Sequence, residues 1–157
     1  MKKGAHKMKA LTIKQPYATA IAVGIKQFET RSWETKYRGE IAIHAGKSGE
    51  MLKHEACSPE QLGVESYEDL PYGAIVATAE LIGCWEIPDH PHINLSEMKE
   101  GEMIGLQVGK STIFLSSTEI WMGDYTQGRY AWQLANVKKL DEPIFVKGQQ
   151  GLWEWDA

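Results

Sequence analysis

The chain has 157 residues, 43% of them hydrophobic, a length and composition that fit one domain with its own core. Its formal net charge of −4 excludes a protein that coats nucleic acid through bulk positive potential, so any nucleic-acid contact has to be local. Cys57 and Cys84 stand in no metal-ligand spacing, no apolar run reaches the length of a membrane span, and the start lacks the apolar stretch of a secretory signal. The expectation is a cytoplasmic protein with reduced thiols, no metal, no cofactor and no membrane contact.

Residues 1–7 carry three lysines and no apolar periodicity, which predicts a mobile tail followed by a single domain over residues 8–157. Lys9 to Ile13 reads as a short strand. Lys14-Gln15-Pro16 leads into a helix with proline in its first turn, and Tyr17, Ala20 and Ile21 fall on one helical face before Gly24 stops it. The Lys14-Gln15 backbone at this helix start offers a place for an anionic group. From Phe28 the residues alternate, predicting a strand to Trp33 on which Glu29, Arg31 and Trp33 share one face. Lys26, in the turn just before, can fold toward that face. The run from Gly24 to Trp33 therefore combines charges of both signs with an indole. As pure structure, the same row is a solvated ion pair worth about 0–1 kcal/mol, with Trp33 in the core.

Thr35 to Gly39 forms a basic turn containing Lys36 and Arg38. Glu40 to Ala45 alternates, with His44 opposite the Ile41 and Ile43 face, and is expected to pair with the Phe28 to Trp33 strand as a hairpin. Lys47 to Cys57 has helical content, and Ser58-Pro59-Glu60-Gln61 fits a capping box. Ala74 to Cys84 is the most apolar run and reads as a central strand, with Glu80 either at its exposed end or held in a site by a cation such as Lys26 or Arg31. His90 and His92 stand two apart in a proline-rich turn with no third ligand at a fixed spacing. Ser96 is expected to cap a helix from Glu97 to about Ile104, and Ser117 another carrying Ile120 and Trp121.

Gly123 to Gly128 is a loop by composition, and Tyr130 to Val137 alternates as a half-buried strand. Asp141-Glu142-Pro143 reads as a turn, Ile144 to Val146 as a last strand, and Lys147 to Gly151 as a turn before Leu152 to Trp155. Several short strands with glycine turns predict an α+β fold, mainly β, as a small irregular β-barrel with short helices at its rim. Trp132, Trp153 and Trp155 are expected in its core.

Several of these motifs resemble, in order and spacing, the ASCH family of activating-signal-cointegrator homology domains. They are Ile13-Lys14-Gln15-Pro16-Tyr17, Gly24-Ile25-Lys26 with Glu29 and Arg31-Ser32-Trp33, Tyr37-Arg38-Gly39 and Ile43-His44-Ala45. The family hallmark is a glycine, a lysine two later, an acidic residue three after that and an arginine two further on: Gly24, Lys26, Glu29 and Arg31. Gly128 to Trp132 and Val146 to Trp153 resemble its closing segments, so the resemblance spans roughly Met8 to Trp155. It implies a PUA-like irregular barrel with a cleft beside the hallmark strand.

The resemblance implies two chemistries. Many members are regarded as RNA-binding or coactivator-associated modules. For such a module the ligand site is Lys14, Gln15, Lys26, Glu29, Arg31, Trp33, Lys36, Arg38 and His44, with cations on phosphate or base edges and an aromatic stacked on a base. The partner is then single-stranded or modified RNA. A bacterial branch instead hydrolyses N4-acetylcytidine, using the hallmark lysine, a threonine three residues later and a glutamate further along. Here Lys26 and Glu29 occupy the first two of those positions, and Glu80, Glu86 and Glu97 are candidates for the third. Position 29 is Glu where that branch has Thr, and a carboxylate beside Lys26 favours an electrostatic over a nucleophilic lysine. A protein-interaction module is the third reading.

Overall fold

Residues that are apolar on both faces of a strand need cover on both faces, and this requirement orders the fold. The computed structural model describes residues 6–49, 57–91 and 93–157. Six strands form one sheet: β1 (Lys7–Gln15), β2 (Phe28–Arg31), β3 (Gly39–Gly49), β4 (Ala74–Glu86), β7 (Tyr130–Phe145) and β8 (Leu152–Asp156). Their order is β2-β7-β4-β3-β1-β8, and β5 (Met103–Val108) with β6 (Ser111–Ser116) makes a separate hairpin. Among the described residues there are also two short helices, α1 (Tyr17–Ala22) and α2 (Ser117–Trp121), and three 3₁₀ turns. The fold is α+β, mainly β.

β1 and β3 run parallel, from Lys9 opposite Ile41 to Ile13 opposite Ala45. A parallel pair needs a long crossover, and here that crossover carries α1 and β2. β3 has Ile41, Ala42, Ile43, His44 and Ala45 buried in succession, and β4 likewise buries Ala74 to Ala77. These strands take the centre of the sheet. The expected hairpin between β2 and β3 is therefore not formed: β2 pairs with β7, Phe28 opposite Gln133 and Arg31 opposite Tyr130. β2 and β8 each have a single strand neighbour, so the sheet is open and the expected barrel closure is not made.

One core cluster lies between α1 and the sheet and contains Leu11, Ile13, Ile21, Ile41, Ile43, Leu81 and Trp132. A second, with Met8, Ala42, Ile75 and Trp153, lies around β1, β3, β4 and β8. Each fully buried aliphatic side chain contributes about 1.5–3 kcal/mol. Leu106, Val108, Ile113 and Leu115 of the hairpin close over Phe28, Ile87 and Tyr125, which seats β6 and α2 beside β2.

Ala18 to Ala22 are all buried, and the small side chains bring α1 close to the sheet. Gly24 adopts φ +87 beyond its end, and the amides of Ile25 and Lys26 both donate to the carbonyl of Ala20. That tight return turns Lys26 inward.

Three expected elements come out differently. In place of a helix from Glu97 to Ile104 there is a 3₁₀ turn at Leu95–Glu97, because Ile104, Leu106 and Val108 alternate as β5. The expected turn at Asp141-Glu142-Pro143 is a bulge inside β7, where the register against β4 shifts between Ile75 and Ala77. α2 is capped by Ser116, one residue before the expected Ser117. The Ser58 capping box is present, with the Ser58 amide donating to Gln61 Oε1 at 2.8 Å. Lys7 already belongs to β1, opposite Asp156, while residues 1–5 of the expected tail lie outside the described residues. β3 reaches Gly49, and the rest of the expected helical stretch, residues 50–56, also lies outside them.

Candidate functional site

A cleft of about 1090 Å³ opens at the carboxyl ends of β1 and β3. Thr12, Ile13 and Lys14 come from β1, Tyr17 from the start of α1, and Glu29 to Trp33 from β2 and the residues after it. Gly46 to Ser48 close the β3 side, Trp121 to Asp124 the α2 side, and Arg129 with Gln149 to Gly151 the rest. Four cationic side chains, Lys14, Arg31, Lys47 and Arg129, share this wall with two carboxylates, Glu29 and Asp124. The cleft is thus locally basic on a protein whose net charge is −4.

Arg31 is tied at one nitrogen: Nη2 donates to the carbonyl of Thr12 at 2.7 Å and to Glu29 Oε2 at 3.1 Å. The ion pair is single-contact, with side chains 24% and 11% exposed. Neither group is sealed away from the cleft. Trp33 stands edge-on to buried Trp132, ring centroids 4.7 Å apart at 85°, and its carbonyl accepts from Trp132 Nε1 at 3.2 Å. Thr30 faces the cleft, and its hydroxyl oxygen accepts from the Asp124 amide at 2.9 Å.

Lys26 lies behind this wall, 0% exposed. Its Nζ donates to the carbonyl of Met122 at 2.9 Å, stands 3.9 Å from Glu119 Oε1 and lies 5.9 Å from the centre of the Tyr17 ring. Burial pushes its ammonium below the ordinary lysine range, against the pull of Glu29 and Glu119. Glu119 accepts from the amides of Gln27 at 2.7 Å and Phe28 at 3.0 Å. Burial pushes its carboxyl up, opposed by Lys26 and by those two amides. The Tyr125 hydroxyl is buried without a hydrogen-bond partner among the described residues, and its pKa is raised by burial and by Glu119 and Glu29.

Of the residues singled out in the sequence, Lys14, Glu29, Arg31 and Trp33 meet at the cleft. Gln15 does not reach it: its amide is used internally, Nε2 donating to Thr19 Oγ1 and the carbonyl of Pro71, and Oε1 accepting from the Thr19 amide. His44 is buried, with Nε2 at 2.7 Å from the Val146 carbonyl and Nδ1 at 3.1 Å from Thr12 Oγ1. Lys36 and Arg38 sit on the exposed loop after Trp33, where Arg38 donates to the carbonyls of Thr35 and Tyr37. None of these three lines the cleft.

Glu80, Glu86 and Glu97 are exposed, and Glu80 accepts from Asn136. The glutamate beside Lys26 is Glu119. Its signal in the sequence is Ser116-x-x-Glu119, a capping-box spacing whose Ser116 hydroxyl does accept from the Glu119 amide. His90 bonds the carbonyl of Tyr125, His92 lies outside the described residues, and no group of three metal-ligating side chains occurs among the described residues. No helix among them is long and apolar enough to cross a membrane.

The chain is similar to human "Activating signal cointegrator 1", 35% identical over 80 residues, which cover 47% of this chain and 14% of that protein. Most of the relative therefore has no counterpart here. The family model of the ASCH domain matches residues 11–144, taking in α1, β2, both buried charges Lys26 and Glu119, and all of the cleft wall except Gln149 to Gly151. The chain belongs to the ASCH domain family.

Proposed function

We propose that the cleft binds a nucleotide-containing ligand, single-stranded or modified RNA. The observation that carries this reading is the composition of one continuous wall: four cations, two carboxylates, and the aromatic rings of Tyr17, Trp33 and Trp121. Cations hold phosphates, carboxylates accept from base amino groups, and rings stack on base faces. Arg31 serves as the central contact, since its Nη1 and Nε remain for a ligand once Nη2 is tied to Thr12 and Glu29. Glu29, held by a single contact, keeps its second oxygen for an N–H donor. A local basic site suffices because screening confines each charge to about 8 Å at physiological salt.

The test is fluorescence anisotropy with a labelled single-stranded oligoribonucleotide at several salt concentrations. Binding should weaken as salt rises and fall at least about tenfold in Arg31→Ala. Salt-independent binding, or full affinity in Arg31→Ala, would remove this reading.

A second reading, hydrolysis of an acylated nucleoside such as N4-acetylcytidine, draws support from the lowered Lys26, the nearby Glu29 and Glu119, and the Thr30 hydroxyl in the cleft wall. Lys26 itself is fully buried and enclosed by Met122 and Glu119, which fits a lysine that shapes the cleft better than one that touches substrate. Cytidine release from N4-acetylcytidine, followed in wild type and Lys26→Ala, separates the two. Lysine-dependent turnover would establish the enzyme.

A further inference from the structure

We propose that Trp121 is the stacking platform of the cleft, taking the face of an unpaired nucleobase; this rests on the nucleotide reading above. Of the six tryptophans, Trp121 alone is exposed, at 49%. The indole N–H groups of Trp85, Trp132 and Trp153 are used inside the protein, on Gln133, the Trp33 carbonyl and Thr12. Trp33 is packed edge-on against Trp132, and Trp155 packs on the cluster around Trp153. Trp121 has no hydrogen-bond or ring partner among the described residues and belongs to none of the core clusters.

A solitary exposed indole on a convex surface is ordinary. This one lines a concave wall together with Lys14, Arg31, Lys47 and Arg129, the cations that would hold a phosphate. Its backbone is fixed from both sides. Two residues earlier the Glu119 carboxylate accepts from Gln27 and Phe28, and one residue later the Met122 carbonyl accepts from Lys26. A ring carried between two buried anchors has lost backbone freedom before any ligand arrives, which lowers the ordering cost of binding. In this arrangement Lys26 and Glu119 are positioning residues, and the ring they place meets the ligand. Every base has a π-face, so the platform is sequence-tolerant and requires only that the base be unpaired.

The experiment uses a fluorescein-labelled hexamer of oligoadenylate and one of oligouridylate, titrated by anisotropy with the full chain. A matching titration with the unlabelled hexamers follows intrinsic tryptophan emission. Trp121→Ala should weaken binding about tenfold or more, and Trp121→Phe should keep most of it. The hexamer-dependent quenching of emission should disappear in Trp121→Phe while its binding persists. If Trp121→Ala binds both hexamers as wild type does while Arg31→Ala does not, the platform is wrong and the nucleotide reading stands. If wild type binds neither hexamer, both fall. Quenching that survives in Trp121→Phe would assign stacking to another ring and overturn the proposal.

Discussion

Lys26 Nζ donates to the carbonyl of Met122 at 2.9 Å, joining the turn before β2 to the end of α2 inside the protein. Glu119, 3.9 Å from the same ammonium, holds the other end of that junction through the amides of Gln27 and Phe28. Two distant segments of the chain are thereby locked into one rim of the cleft. Lys26 thus ties the rim together from inside the protein.

Removing one partner of this pair should cost far more than removing both. Lys26→Met leaves the Glu119 carboxylate buried without its cation, and breaking such a pair costs about 3–5 kcal/mol. Adding Glu119→Gln in the Lys26→Met background should recover part of that loss, since the uncompensated charge is gone. Urea unfolding of the two single variants and the double variant measures the coupling. Additive losses would mean that the two groups do not stabilise each other.

The same burial sets a pH dependence. Because the folded protein holds the Glu119 carboxyl above its ordinary value of 4.5, the native state keeps its proton to higher pH than the unfolded chain does. Its contribution is therefore full below the unfolded value and is lost as pH rises through the raised one. Lys26 runs the other way: its pKa is lowered from 10.5, so its contribution is present above that value and is lost as pH falls through the lowered one. The stability of wild type relative to Glu119→Gln should accordingly fall as pH climbs from 4.5. A difference that stays flat across that range would contradict a raised carboxyl.

What could be read from the sequence depended on whether a residue's partners were local. Glu29 and Arg31 were legible as neighbours because alternation on one short strand puts them on one face, whatever the strand pairs with; β2 ends at Arg31, short of the expected Trp33, which lines the cleft from the segment after it. Glu119 was not, because its place beside Lys26 follows from β2 pairing with β7 and from the hairpin closing over Phe28. Gln15 read as a site residue because its backbone precedes a helix start, and His44 because it stands opposite the apolar Ile41 and Ile43 face. Both are satisfied internally, Gln15 by nearby Thr19 and distant Pro71, and His44 by Thr12 and Val146, of which Pro71 and Val146 lie far along the chain. The open sheet escaped notice for a related reason: strand spacing is the same whether or not the last strand meets the first.

His44 also crowds the space beside Gly148. A Cβ at Gly148 would fall 2.5 Å from His44 Cε1 and 2.8 Å from Thr12 Oγ1, so the turn before β8 or the imidazole must move. Gly148→Ala should lose about 1–3 kcal/mol, as overpacking does. The turn carries Gln149 to Gly151 of the cleft wall, so RNA affinity should drop as well. Gly24→Ala is the comparison, because a Cβ there meets nothing within 4 Å and only φ +87 opposes it. Its cost should be about 1–2 kcal/mol with the cleft unchanged. Thermal denaturation together with anisotropy tests both, and unaltered stability in Gly148→Ala would show that His44 yields freely.

Trp132 connects stability to the cleft. It is fully buried, its indole donates to the Trp33 carbonyl at 3.2 Å, and its ring backs the Trp33 ring at 4.7 Å. Trp132→Phe removes the donor and leaves that carbonyl without this partner, a loss of about 1–3 kcal/mol. The smaller ring also withdraws support from Trp33, so the cleft wall should loosen and RNA affinity should fall beyond what the remaining folded fraction explains. Urea unfolding and anisotropy on the same preparations separate the two effects. If affinity per folded molecule is unchanged while stability falls, Trp33 is held in the wall by its own strand and owes nothing to Trp132.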